Sequence, residues 1–65
     1  MTDTKLLKAK IMENGYIQAD IAKMLNISPA SLNKRINNKA DFTAPQIKTL
    51  MDALKISDII PVFFA

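Results

Sequence analysis

The sequence contains no cysteine, no histidine and no tryptophan, and only one of its 65 residues is glycine. Without cysteine there is neither a disulfide nor a zinc–thiolate site, and without histidine the commonest metal ligand and general base is missing. A single glycine excludes a glycine-rich phosphate-binding loop and a turn-rich β fold. No apolar run approaches the roughly 20 residues that a membrane span needs. We therefore expect a soluble, cytoplasmic, mostly helical protein that needs no metal or cofactor.

The short length of the chain limits both its stability and the functions it can contain. A chain this short buries only about 60% of the surface that its unfolded form exposes, so its 49% hydrophobic content must supply the stability. The sequence shows no linker and no internal repeat, and because residues 1–5, MTDTK, lack the charged-then-apolar order of a secretory signal, we expect no secretory leader. The carboxylates are scattered, and no pair is placed for acid–base chemistry. We expect one domain over residues 1–65, with no catalytic apparatus and no small-molecule ligand.

The positive charge is concentrated in the middle of the chain. The net charge is +3, and residues 21–40 carry Lys23, Lys34, Arg35 and Lys39 with no acidic residue between them. The segments on either side are balanced or slightly acidic. Such a local excess is expected of a surface that binds phosphate. A solvated helix face that lacks acids is the alternative interpretation, so charge alone leaves nucleic acid undecided.

The spacing of apolar residues predicts short helices. Gly15 closes the first, Ser28 and Pro29 provide an N-cap and a first helical residue for the third, and Thr43 and Gln46 form a capping box for the fourth. The predicted helices are 4–13, 17–25, 29–36 and 44–54. A fifth, near residues 58–63, stays open because Pro61 suits either the first turn or the end of a helix. The expected fold is an all-α, compact bundle of four to five short helices.

The second and third predicted helices form a helix-turn-helix, because only a tight turn separates them. Ala22 falls where the two helices cross closely, and Asn26 falls where the turn needs a left-handed backbone. The outward side chains of the third helix are short enough to enter a DNA major groove about 12 Å wide. Asn33 and Ser31 are long enough to reach base edges, and Lys34 reaches a guanine edge or a phosphate.

The stretch QADIAKMLNISPASLNKRINNK, residues 18–39, resembles the helix-turn-helix of the phage Cro and repressor (XRE) family. The resemblance implies a lambda-repressor-like fold and sequence-specific binding of a double-stranded DNA operator. It also implies a small phage or prophage regulator that represses transcription by occluding promoter DNA. Asn26 and Asn38 stand where the family often has glycine. Ile17 replaces the usual serine or threonine cap, a loss of about 1 kcal/mol.

The same resemblance implies DNA-binding roles for residues along the motif. The remaining candidate residues are those on the outward face of the third helix. The expected base-reading residues are Pro29, Ala30, Ser31, Asn33 and Lys34. The expected contacts to the DNA backbone are Gln18, Ser28, Arg35, Asn37, Asn38 and Lys39. Ser28 is foremost a helix cap and only secondarily a phosphate contact.

The uncharged C-terminal segment 59–65 allows two interpretations. It folds back over a core that a small domain needs, or it is a subunit interface. Because Cro-like proteins commonly dimerise through this part, the resemblance favours a homodimer on DNA, with Phe63 and Phe64 between the subunits. The expected interface residues are Ile60, Val62, Phe63 and Phe64. A second functional hypothesis is a protein-interaction module that binds another phage regulator through this segment, in the manner of an anti-repressor.

Overall fold

A computed structural model describes all 65 residues, and it contains five helices and no strand. The helices are α1 (Thr4–Glu13), α2 (Gln18–Leu25), α3 (Pro29–Ile36), α4 (Ala44–Ala53) and α5 (Ile59–Phe63). The predicted all-α fold of short helices is confirmed. None of the five combines the length and the apolar character that crossing a membrane would demand.

Side-chain caps fix where the helices begin. The Ser28 hydroxyl accepts a hydrogen bond from the Ser31 N–H at 3.1 Å, with Pro29 in the first turn of α3. Thr43 and Gln46 cap each other reciprocally at the start of α4, at 3.0 and 3.3 Å. Each bond satisfies an amide that has no partner within its helix. The α3 and α4 boundaries therefore follow from local sequence.

Left-handed backbone conformations separate the helices. Gly15 closes α1 with φ 79°, and Asn26 ends α2 with φ 56°, as its position in the turn predicts. Asn38 adopts the same region with φ 61° after α3. Lys55 adopts the same region after α4, with φ 55°. The residue type does not predict this conformation, because lysine lacks the local side-chain hydrogen bonds that help asparagine adopt it. The Ile56 N–H donates to the Met51 carbonyl at 2.9 Å and closes the end of α4.

The core consists of twelve buried apolar residues drawn from all five helices and the loops between them. They are Leu7, Ile11, Ile21, Ala22, Leu32, Ile36, Phe42, Leu50, Leu54, Ile56, Val62 and Phe63. Helix periodicity indicates the members within α1 to α4. Phe42 and Ile56 lie in loops, where no periodicity marks them, and only the fold brings them inward.

The C-terminal segment folds onto the rest of the chain. Pro61 lies in the first turn of α5, where its missing N–H costs no hydrogen bond. The Phe63 ring packs edge-to-face on Phe42 with centroids 5.8 Å apart, and the Asp3 N–H donates to the Val62 carbonyl at 2.7 Å. Val62 and Phe63 are both buried within this one chain.

This burial corrects the expected subunit interface. The Val62 and Phe63 side chains are used by the chain's own core, so they have no surface left for a second subunit. Ile60 and Phe64 point the other way and remain 62% and 56% exposed. The two interpretations of the segment thus divide between its side chains, because Ile60 and Phe64, four residues apart, share the exposed side of this helical turn, whereas Val62 and Phe63 lie on its buried side.

Replacing Lys55 with glycine should raise the free energy of unfolding by about 1 kcal/mol, because glycine adopts the left-handed region without a Cβ clash. Urea unfolding followed by circular dichroism measures the change. The control is Lys48→Gly inside α4, which should lower the free energy by a similar amount of about 1 kcal/mol. Equal destabilisation by both substitutions would contradict a strained backbone at Lys55.

Candidate nucleic-acid interface

The position of α3 is set by how it packs on α2. Leu32 and Ile36 are fully buried on the inner side of α3, and Ala22 on α2 is 3% exposed. Only residues 26–28 connect the two helices, and the Ile27 N–H donates to the Ala22 carbonyl at 3.0 Å. A short connection and a small residue at the crossing hold the helices close together, so the outer side of α3 has a fixed direction.

The outer side of α3 is polar and open to solvent. Pro29, Ala30, Asn33 and Lys34 are exposed, whereas Ser31 is half-buried. Lys34 and Lys39 lie beside a shallow depression of about 360 Å³, which Ala30, Asn33 and Asn37 also line. No acidic residue lines this depression, and neither Lys34 nor Lys39 forms a salt bridge, so the surface carries positive charge.

Arg35 does not extend outward with the other polar residues of α3. Its Nη1 donates to the Ser31 carbonyl at 3.2 Å and also to the Ser31 hydroxyl, and its Nε is buried with no partner. The guanidinium therefore lies along its own helix. The expected contact of Arg35 with a phosphate would therefore have to replace the bonds to Ser31.

Asn37 is likewise hydrogen-bonded to α3. Its Nδ2 donates to the Asn33 carbonyl at 3.0 Å and to the Asn33 Oδ1. Both side chains remain exposed. Asn33 and Asn37 thus form one hydrogen-bonded group at the C-terminal end of α3.

The remaining sequence-predicted positions lie at the edges of this surface. Gln18 is the first residue of α2 and half-buried, and Ser28 is the exposed N-cap of α3. The cap that Ile17 lacks is partly replaced, because the Asp20 carboxylate accepts a hydrogen bond from the Ile17 N–H at 2.8 Å. No group of three acidic side chains is close enough to hold a metal ion.

A helix-turn-helix family model matches residues 7–58, a range that contains α2, α3 and α4 in full and α1 from Leu7 onward. The chain belongs to the XRE-type helix-turn-helix family of DNA-binding transcription regulators. Comparison with curated proteins and with solved structures gave no match. The resemblance seen in residues 18–39 is confirmed as membership of this family.

Asn38 has a structural role in this XRE-type protein. Its Oδ1 accepts from the Thr2 N–H and its Nδ2 donates to the Thr2 carbonyl, both at 2.9 Å. The side-chain amide is therefore engaged at both ends by the N-terminal segment, 36 residues away in sequence. A contact of the Asn38 side chain with the DNA backbone would have to compete with Thr2 for the same atoms.

The sequence analysis did not predict these three side-chain hydrogen-bond pairs, and the reasons differ. Arg35 stands four residues after Ser31 and Asn37 four residues after Asn33, and this spacing is the local signal for side-chain contact on a helix. The bond between Asn38 and Thr2 has no such signal, because it depends on where the N-terminal segment lies in the fold.

Asn38→Ala should lower the free energy of unfolding by about 1–2 kcal/mol, since it removes both bonds to Thr2 and places alanine in the left-handed region. Asn38→Gly loses the same bonds but tolerates the backbone, so it should be less destabilised than Asn38→Ala. Thermal and urea unfolding measure both. Wild-type stability of Asn38→Ala would show that the Thr2 contacts contribute nothing.

Proposed function

We propose that this XRE-type regulator binds a specific double-stranded DNA operator in the bacterial cytoplasm and represses transcription by covering promoter DNA, as phage Cro proteins do. The observation that carries the proposal is the exposed outer side of α3 with its short side chains and Lys34, next to Lys39 in the following loop, around a depression that no acidic residue lines. A helix with short polar side chains fits the major groove, and lysines beside it bind phosphate.

The proposed contacts divide by the reach of each side chain. Pro29 and Ala30 offer apolar contact to a thymine methyl, while polar side chains read base edges. The proposed base-reading residues are Pro29, Ala30, Ser31, Asn33 and Lys34. The proposed backbone contacts are Gln18, Ser28, Asn37 and Lys39. Arg35 can join these contacts only if it gives up its hydrogen bonds to Ser31. Asn38 can do so only in competition with Thr2, and its bonds to Thr2 fix the loop that contains Asn37 and Lys39.

A homodimer is part of the proposal. Ile60 and Phe64 are exposed apolar residues, and Phe64 lies beside a groove of about 330 Å³ whose apolar walls are Ala44, Ile47, Met51, Ile56 and Ile59. Lys48 and Asp52 also line it; they pair with each other at 3.9 Å, and their side chains are 81% and 75% exposed, so a partner subunit could exchange this surface pair for one between subunits. One residue of each charge suits a two-fold contact, in which Lys48 faces Asp52 of the partner subunit.

Fluorescence anisotropy tests the proposed function directly. The fragment upstream of the protein's own gene should bind more tightly than scrambled DNA, and affinity should fall steeply with salt, because bound lysines release counterions from phosphate. Asn33→Ala should relax discrimination at one or two base positions by about 1–3 kcal/mol, as should Ser31→Ala. Lys39→Ala should weaken all sequences alike and reduce the salt slope by about one.

Two outcomes would contradict this assignment. An identical, sequence-independent effect of the Asn33, Ser31 and Lys39 substitutions would refute the division into base and backbone contacts. Equal and weak binding of both DNAs would instead favour the alternative function, in which the surface around Ile60 and Phe64 binds another regulator.

Phe64→Glu should shift the protein from dimer to monomer, because it places a charge in a desolvated apolar contact. Sedimentation equilibrium measures the mass, and circular dichroism verifies the fold. Met12→Glu is the matched control, since Met12 is 75% exposed and lies on α1 away from the groove. An unchanged mass for a folded Phe64→Glu would refute this interface.

A further inference from the structure

Two hydrogen bonds along α3 determine which polar atoms its outer side offers to DNA. Arginine is only a donor, so the Ser31 hydroxyl oxygen must be the acceptor in its bond with Arg35. The hydroxyl hydrogen of Ser31 is not used in this bond and stays available as a donor. The bond from Arg35 therefore favours Ser31 as a hydrogen-bond donor toward DNA.

The orientation of the Asn33 amide follows by the same reasoning. The Asn37 atom that contacts the Asn33 backbone carbonyl at 3.0 Å must be the amino group, because a carbonyl oxygen only accepts. That same amino group contacts the Asn33 side chain, so the atom it meets there must be Oδ1. The Asn33 amide thus directs its oxygen to Asn37 and leaves its Nδ2 hydrogens for another acceptor.

We propose that Asn37 is a positioning residue that makes Asn33 a hydrogen-bond donor toward the base it reads. Asparagine binds adenine by accepting from N6 and donating to N7, and Asn37 competes for the oxygen that this contact needs. A donor alone favours a keto oxygen, O6 of guanine or O4 of thymine, over the amino groups of adenine and cytosine. The inference rests on the proposed function, since it concerns the bases that α3 reads.

Apart from the Asn37 Oδ1, which remains an acceptor, the other side chains of this surface agree with a mainly donating character. Lys34 donates and does not accept, and Pro29 and Ala30 have no polar side-chain atoms. No carboxylate occurs from residue 21 to residue 40 to accept from a cytosine amino group. Guanine, which presents two acceptors in the major groove, is therefore the base that α3 suits best.

Selection of binding sites from a random duplex library tests the inference with the full chain. The position read by Asn33 is the one whose preference Asn33→Ala abolishes. At that position the wild type should select guanine or thymine, and Asn37→Ala, which frees the Asn33 oxygen, should increase the relative acceptance of adenine by about tenfold. Lys39→Ala is the control, because it weakens binding without changing this preference.

Base analogues give a readout that needs no variant. In a selected site with guanine at that position, inosine keeps the major-groove N7 and O6 and should bind as guanine does. Diaminopurine opposite thymine carries an amino group at C6 and should bind about tenfold more weakly.

The possible failures are distinguishable. A wild-type preference for adenine at the Asn33 position, or an unchanged preference in a folded Asn37→Ala, overturns the role of Asn37 alone. Equal binding of the inosine and diaminopurine duplexes does the same. Selection of no sequence at all overturns the proposed function, and this inference with it.

Discussion

The whole molecule depends on the close packing of α3 against α2. Ala22 leaves room for the crossing, Asn26 supplies the left-handed turn, and Leu32 and Ile36 bury the inner side of α3. Because one side of α3 is committed to the core, the opposite side is fixed toward solvent, and every exposed polar residue on it takes its direction from that burial. A larger residue at Ala22 would separate the helices and change the direction of the entire outer side.

The small size of the protein makes its two ends part of the same core. Phe63 reaches Phe42, and the N-terminal segment binds both the Val62 carbonyl and the Asn38 amide. A chain of this length has little apolar area to spare, so most of the C-terminal segment is used internally. Within this segment, the large apolar side chains that stay exposed are Ile60 and Phe64.

The rotamers of polar side chains on α3 are restricted by hydrogen bonds to residues one helical turn away. Arg35 holds Ser31 and Asn37 holds Asn33, each one helical turn apart. Such bonds restrict rotamers before any ligand arrives, which lowers the entropy lost on binding. They also decide which atoms donate and which accept, so a residue list alone does not describe the chemistry of this surface.

The sequence by itself determined the first four helices, the caps of α3 and α4 and the helix-turn-helix, because these depend on contacts within a few residues. Ser28 with Pro29 begins α3, the spacing of Leu32 and Ile36 gives its buried side, and the acid-free stretch 21–40 marks the charged surface. The tertiary structure alone decided the burial of Phe63 and the attachment of Asn38 to Thr2. Both require segments far apart in the chain to meet, and the local sequence pattern does not indicate such long-range contacts.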